Sequence, residues 1–217
     1  MERLTFSIEE RGKDLGLSLT KHKLFDQPVI QKWGIFYQAR DHQQAKTLVQ
    51  MLEKVLLAFD YQAKPMAMFP VQGSNLEIWR QEIIQRVRAD VQVVILLLPG
   101  RQGRSDLYPD LKRLLTQEIP IVSQAILTST INYGKNLRVI VSKIVAQICA
   151  KIGGIPWVID NMPYMDKRTM VCGLDVYHDA QDGQISCLGF VASYNKTCTK
   201  YWPSTHVMQT PGDEIAT

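Results

Sequence analysis

Polar side chains that could hold an anion cluster in the middle of this 217-residue chain. Tyr108 and Lys112 are four residues apart in YPDLK, so a helix beginning there would carry both on one face. Pro109 suits the first position of that helix, where its missing N–H costs nothing. A helix start offers free N–H groups and the positive end of the dipole, to which Lys112 adds a charge and Tyr108 a hydroxyl and a stacking ring. The chemistry that fits is phosphate binding.

A second polar set follows in SKIVAQICAKIGG. Lys143, Gln147 and Lys151 recur every fourth residue, so they share one side of a predicted helix whose isoleucines and valines form an apolar stripe. Gln124 lies in the predicted strand IVSQAI. An ordinary amphipathic helix with a solvated polar stripe explains the helical positions as well. Spacing alone does not join these elements into one site.

Strands and helices alternate before and around these residues, which predicts an α/β domain with a parallel sheet. Asp41 is expected to cap the first helix. A second helix is predicted over 76–89, with inward residues at Ile78, Trp79, Ile83, Ile84 and Val87. The apolar run Val91–Leu98 predicts a strand covered on both faces. Ligands gather at the carboxyl ends of such strands, where the loop 99–107 begins.

The pattern changes after the double glycine at 153–154. A short strand is predicted at Pro156–Ile159, and an antiparallel meander at Thr169–Tyr177, Ile185–Tyr194 and Lys200–Thr205. Asp182-Gly183 is a hairpin signal within that meander. Asp175 places a carboxylate inside an otherwise apolar strand, either as a metal ligand or as a structural aspartate paired locally.

Charge is unevenly distributed although the net charge is only +4. Residues 100–151 contain eight Lys or Arg and three Asp or Glu, a net +5, so the remainder sums to −1. This favours a local phosphate site over a general polycationic surface, although a solvated basic face would give the same count.

No apolar run reaches the roughly 18 residues of a membrane span. Because the charged N-terminus also lacks a signal-peptide core, we expect a soluble intracellular protein without a membrane partner.

The four cysteines are widely spaced, without a CxxC pair or a histidine at ligand spacing. This argues against a zinc site and gives no disulfide framework. No GxGxxG follows any strand, which disfavours a dinucleotide site.

Taken together, several motifs resemble the MID domain of the Argonaute superfamily, and specifically its Piwi branch. They are LPG before the loop, YPDLK, SQAI, and SKIVAQICAKIGG followed by Trp157. The resemblance implies a Rossmann-like MID domain over 33–160, preceded by a linker segment over 1–32. It also implies that Tyr108, Lys112, Gln124 and Lys151 bind the 5′-phosphate of a small guide RNA. Tyr108 would stack on the first base, and the loop 101–107 would sense its identity.

Gln147 matches a glutamine typical of Piwi proteins, where many eukaryotic Argonautes have a lysine. In Piwi proteins a divalent ion bridges this glutamine, the first guide phosphates and the protein's carboxyl terminus, so the resemblance implies Mg²⁺ with Gln147 as a ligand. Lys143 matches a Piwi-type lysine one turn earlier and would contact the RNA backbone.

The segment TMVCGLDVYHD resembles the first strand of the RNase H-like PIWI domain, so residues 161–217 would be the N-terminal part of that domain. Asp175 then matches the first carboxylate of the metal-dependent RNA-cleaving site. One carboxylate cannot hold two metal ions, so cleavage by these residues alone is not expected. We therefore expect a piece of a longer protein.

The sequence is compatible with three functions. The first is a module that binds the 5′-phosphorylated end of a piRNA-like guide, with target RNA reached through the guide and silencing-complex proteins as further partners. The second is part of an RNA-guided endonuclease with Asp175 as one Mg²⁺ ligand. The third is a protein-interaction module without RNA affinity. The resemblance implies a cytoplasmic or nuclear location.

Overall fold

The computed structural model describes residues 22–100, 105–131, 136–159, 169–178 and 186–208. Two compact units divide the chain, the first ending at Pro156 and the second starting at Trp157. The predicted hairpin turn at Asp182-Gly183 lies outside the described residues, as do residues 1–21 and residues 101–104 of the loop 99–107.

The first unit is built on a four-stranded, fully parallel sheet, as the alternation of elements predicts. Its strands are β1 (Trp33–Gln38), β2 (Ala67–Val71), β3 (Val93–Leu98) and β4 (Val122–Leu127), in the order β2-β1-β3-β4. Every residue of β1 and β3 is buried, because both strands are central and helices cover both faces.

Five α-helices accompany the sheet in the described part of the chain. They are α1 (His42–Ala58), α2 (Leu76–Arg86), α3 (Tyr108–Arg113), α4 (Thr128–Ile131) and α5 (Leu137–Lys151). Side chains of a strand alternate between faces, so β1 contributes Ile35 to the core shared with α1 and α5, and Phe36 to the core shared with α2 and α3. The two cores hold α3 and α5 against opposite faces of the sheet.

Three local predictions are wrong. The helix predicted over 76–89 ends at Arg86, and Ile78 and Ile84 are exposed because the inward face is carried by Trp79 and Ile83. Asp41 precedes α1, but its side chain makes no capping hydrogen bond. Pro156–Ile159 forms no strand; only its neighbour Ile155 forms an isolated bridge, to Asp26.

The ends of α3 and α5 place the polar residues of interest. Pro109 is the second residue of α3, which continues into a π-helical turn at Leu114–Glu118. Gly153 has φ of +92°, a left-handed conformation that suits glycine, and the N–H of Gly154 donates to the carbonyl of Cys149. Helix α5 therefore ends at Lys151, whose side chain is free to turn towards β4.

The second unit contains the predicted antiparallel meander. Its strands are β5 (Cys172–His178), β6 (Ser186–Ser193) and β7 (Tyr201–Val207), paired in that order. Large apolar side chains such as Leu174 and Trp202 are exposed on it. Among the described residues of the whole chain, no helix is long and apolar enough to cross a membrane.

Candidate nucleic-acid interface

A cavity of about 500 Å³ lies beside the carboxyl-terminal half of β3 and residues 123–127 of β4. Its apolar wall is built by residues of these two strands, including Leu96, Leu98 and Leu127. Its polar lining consists of Ser105, Tyr108, Lys112, Ser123, Gln124 and Lys151. The fold thus brings together four of the six residues predicted to bind phosphate, from α3, β4 and the last turn of α5.

Lys112 enters the cavity from α3. Its ammonium group donates to the hydroxyl of Ser123 over 3.1 Å. Ser123 lies on the same face of β4 as Ala125 and Leu127, which pack in the core beneath α3. The side chains of Lys112 and Ser123 meet because helix and strand face each other there.

Lys151 enters from α5, on the opposite face of the sheet. Its ammonium group donates to Oε1 of Gln124 over 2.8 Å and to the main-chain carbonyl of Ser123 over 2.9 Å. The Nε2 group of Gln124 donates in turn to the carbonyl of Ala125 over 3.2 Å. Both lysines therefore converge on the segment Ser123–Gln124 of β4.

The electrostatic state of Lys151 reflects this crowding of cations. Partial burial of its ammonium group lowers its pKa, and the nearby charge of Lys112 lowers that pKa further, although Lys151 as a whole residue is exposed. Neither lysine forms an ion pair within the described residues. Two positive charges are thus held by neutral oxygen atoms, which leaves the cavity suited to an anion.

Tyr108 lies at the rim of the cavity with 45% of its surface exposed. Its N–H donates to the carbonyl of Ser105 over 3.2 Å, which fixes the first turn of α3. The exposed ring has room for a planar group to stack on it.

The π-helical turn after α3 is tied to α2. Both terminal nitrogens of the Arg80 guanidinium donate to the carboxylate of Glu118, over 3.1 and 2.9 Å. These hydrogen bonds lower the pKa of Glu118. The pair links α2 to the turn that carries on from α3, and so helps to fix Tyr108 and Lys112.

Two of the predicted phosphate ligands do not line the cavity. Lys143 and Gln147 are exposed on α5, two turns and one turn before Lys151. Their side chains lie on the same side of the helix as Lys151, as the spacing predicts. The structure thus places them along one stripe that leads to the cavity.

Sequence reasoning did not assign a role to Ser123, and it included Ser105 only as part of the loop. Ser123 is 5% exposed and accepts hydrogen bonds from both lysines, one at the hydroxyl and one at the carbonyl. The hydroxyl oxygen of Ser105 is buried in the cavity wall without a partner in the described part of the chain. A polar residue within the apolar run IVSQAIL was the available signal for Ser123.

Asp175 lies in β5 of the second unit and is exposed. Its Oδ1 accepts the N–H of Val176 over 3.0 Å. Over the ranges that the structure describes, no three His, Cys, Asp or Glu side chains gather into a group that could hold a metal ion.

Comparison with known proteins fits this architecture. The family model of the Piwi domain matches residues 93–217, more than half of the chain. Protein argonaute-3 of Drosophila melanogaster is 27% identical over 99% of this chain, and Piwi-like protein 1 of Gallus gallus is 32% identical over 86% of it. The chain spans only 25% and 21% of the length of these two relatives.

Solved structures share the fold at low sequence identity. Drosophila Piwi superposes with a TM-score of 0.79 and 17% identity, covering 89% of this chain and 27% of that one. Kluyveromyces polysporus Argonaute with a guide RNA superposes with a TM-score of 0.73 and 16% sequence identity. The match covers 89% of this chain and 25% of that one. The MID-PIWI domains of N. crassa QDE-2 superpose with a TM-score of 0.61 and 16% sequence identity. The match covers 85% of this chain and 54% of that one. These Piwi and Argonaute structures share the Rossmann-like parallel sheet and the antiparallel meander that follows it. Because the Piwi-domain model matches more than half of the chain, the chain belongs to the Piwi family.

Proposed function

We propose that this chain binds the 5′-phosphorylated end of a small guide RNA. The observation that carries the proposal is the convergence of Lys112 and Lys151 on Ser123–Gln124 in a cavity without a counter-charge from the described residues. A terminal phosphate carries up to two negative charges and three acceptor oxygens, which match two ammonium donors. Tyr108 at the rim supplies the stacking surface for the first base.

Family membership supports an RNA guide as the source of that phosphate. The K. polysporus relative with a TM-score of 0.73 was solved with a guide RNA. The first unit would act as the MID domain and the second as the beginning of the PIWI domain, as the N. crassa likeness suggests. Target RNA would then be reached through the guide, and silencing-complex proteins would assemble on the whole protein in the cytoplasm or nucleus.

Mg²⁺ is proposed at Gln147, together with oxygens of the bound RNA. The amide oxygen of this exposed side chain is a suitable hard ligand, and Mg²⁺ commonly takes one or two protein oxygens and completes its shell with phosphate and water. When bound, the ion would neutralise the guide phosphates, and Lys143 would contact the RNA backbone one turn earlier in α5.

RNA cleavage by the whole protein is the second candidate function. The observation that favours it is Asp175, an exposed carboxylate in the strand that the Piwi family model includes. A hydrolytic site for two metal ions needs further ligands, which the described residues do not gather around Asp175. Asp175 is therefore proposed as one ligand of a larger site.

The proposed function is tested by titrating one short RNA in 5′-phosphate and 5′-hydroxyl forms at fixed salt, because phosphate contacts make affinity salt-dependent. We expect the phosphorylated form to bind at least about tenfold tighter, which is about 1.4 kcal/mol. Lys112→Ala or Lys151→Ala should each sharply reduce that preference. Lys54→Ala, at an exposed lysine of α1 that does not line the cavity, is the matched control and should retain it. Equal binding of both forms would favour a protein-interaction module instead.

A further inference from the structure

We infer that the hydroxyl of Ser123 donates a hydrogen bond directly to the anion bound in the cavity. This inference rests on the proposed function and adds a ligand from β4, the strand on which both lysines converge. Ser123 lines the cavity, and its side chain lies on the face that Lys112 approaches.

The direction of the existing hydrogen bond leaves the serine proton unused. An ammonium group can only donate, so in the 3.1 Å contact the Ser123 oxygen is the acceptor. A serine hydroxyl also carries one proton to donate. Within the described ranges, no side-chain or main-chain atom accepts that proton.

Burial of the Ser123 hydroxyl affects which ligand binds best in the cavity. Only 5% of Ser123 is exposed, so a ligand that fills the cavity would displace the remaining water around the hydroxyl. A buried donor left without an acceptor is costly, so the ligand that binds best must supply an oxygen at this point. A phosphate oxygen makes a charge-assisted hydrogen bond there, whereas the neutral 5′-hydroxyl end of an RNA makes a weaker one.

The decisive variants are Ser123→Ala and Ser123→Cys, the second of which keeps the side chain's size but is a weak donor. We expect each to lower the ratio of 5′-phosphate to 5′-hydroxyl affinity about five- to tenfold, with 5′-hydroxyl affinity within about twofold of the unaltered chain. Ser142→Ala is the control, because Ser142 is fully buried in α5 and its hydroxyl donates to the carbonyl of Arg138 away from the cavity. The ratio of 5′-phosphate to 5′-hydroxyl affinity should not change in Ser142→Ala.

A double-variant cycle separates direct donation from an effect through Lys112. In a Lys112→Ala background, Ser123→Ala should still lower 5′-phosphate affinity at least about threefold. Loss of the effect in that background would overturn the inference, as would an unchanged ratio in either single variant while the unaltered chain prefers 5′-phosphate. If the unaltered chain shows no preference at all, the proposed function itself fails. Thermal unfolding of each variant confirms that the comparison is made on folded protein.

Discussion

Lys151 donates a hydrogen bond of 2.8 Å to Oε1 of Gln124, joining the last turn of α5 to the middle of β4. Its other acceptor, the carbonyl of Ser123, is also neutral. Neutral oxygens orient the ammonium group without cancelling its charge, so the full charge remains for a ligand. A carboxylate at either position would have formed an ion pair that a phosphate must break.

The lowered pKa of Lys151 predicts how binding depends on pH. A phosphate selects the charged lysine, so affinity is full below this pKa and falls as pH rises through it. Because the folded-state pKa is lowered, the fall begins at a lower pH than for an ordinary lysine. Measuring the affinity for 5′-phosphorylated RNA at a series of pH values from neutral to about pH 10 records this fall. Lys151→Arg should move the loss to higher pH, because arginine stays charged. The same pH profile for both proteins would show that Lys151 does not contact the phosphate.

Tyr108 should contribute by stacking on the first base. Tyr108→Ala should weaken binding of both 5′-phosphate and 5′-hydroxyl RNA by about 1–3 kcal/mol, because stacking does not require the phosphate. Tyr108→Phe keeps the ring and should leave 5′-hydroxyl affinity unchanged. A 5′-hydroxyl RNA whose first nucleotide lacks a base is the control, and Tyr108→Ala should then cost little. A large loss with that abasic RNA would argue against stacking.

Gln147 should govern the response to Mg²⁺. Chelating the metal is expected to weaken binding of 5′-phosphorylated RNA about tenfold in the unaltered chain, since the guide phosphates lose a neutralising charge. Gln147→Lys supplies a fixed positive charge and should make the same titration insensitive to chelator. Equal sensitivity in Gln147→Lys and the unaltered chain would place the metal effect elsewhere.

Gly154 should be intolerant of a side chain. An added Cβ would lie 2.5 Å from Sγ of Cys149 and 2.7 Å from the carbonyl oxygen of Asp26, where the segment before β1 docks on the end of α5. Gly154→Ala should therefore lower the free energy of unfolding by about 1–3 kcal/mol, measured by urea denaturation. In Gly189→Ala the nearest atom would be 3.8 Å from the new Cβ, so this control should unfold as the unaltered chain does.

The helices and strands were predictable wherever the local pattern of apolar residues determines them. The run VVILLL forms a central strand because six consecutive apolar residues can be buried only where helices cover both faces. The periodicity of α1 likewise places Leu48, Leu52 and Val55 in the core. By contrast, Ile78 and Ile84 fit an inward pattern yet are exposed, because α2 packs through Trp79 and Ile83. Each isoleucine lies one residue, about 100°, around the helix from one of these two residues. Which side of α2 meets the sheet is a property of the whole fold.

The site was predictable in its members but not in its contacts. Tyr108 and Lys112 share a helical face by spacing alone, and the family resemblance added Gln124 and Lys151. Nothing in the spacing indicates that Lys112 and Lys151 approach β4 from opposite faces of the sheet. That arrangement depends on the strand order and on the length of α5, and it is what gives Ser123 its two lysine donors.

The most direct test of the central claim is to map lysine reactivity by mass spectrometry after brief acylation, with and without RNA. We expect 5′-phosphorylated RNA to protect Lys112 and Lys151, and 5′-hydroxyl RNA of the same sequence to protect them far less. Lys54 should react equally in all samples, since it is exposed on α1 and does not line the cavity. Equal protection by both RNAs, or none at Lys112 and Lys151, would contradict the account by showing that the phosphate does not bind between these lysines.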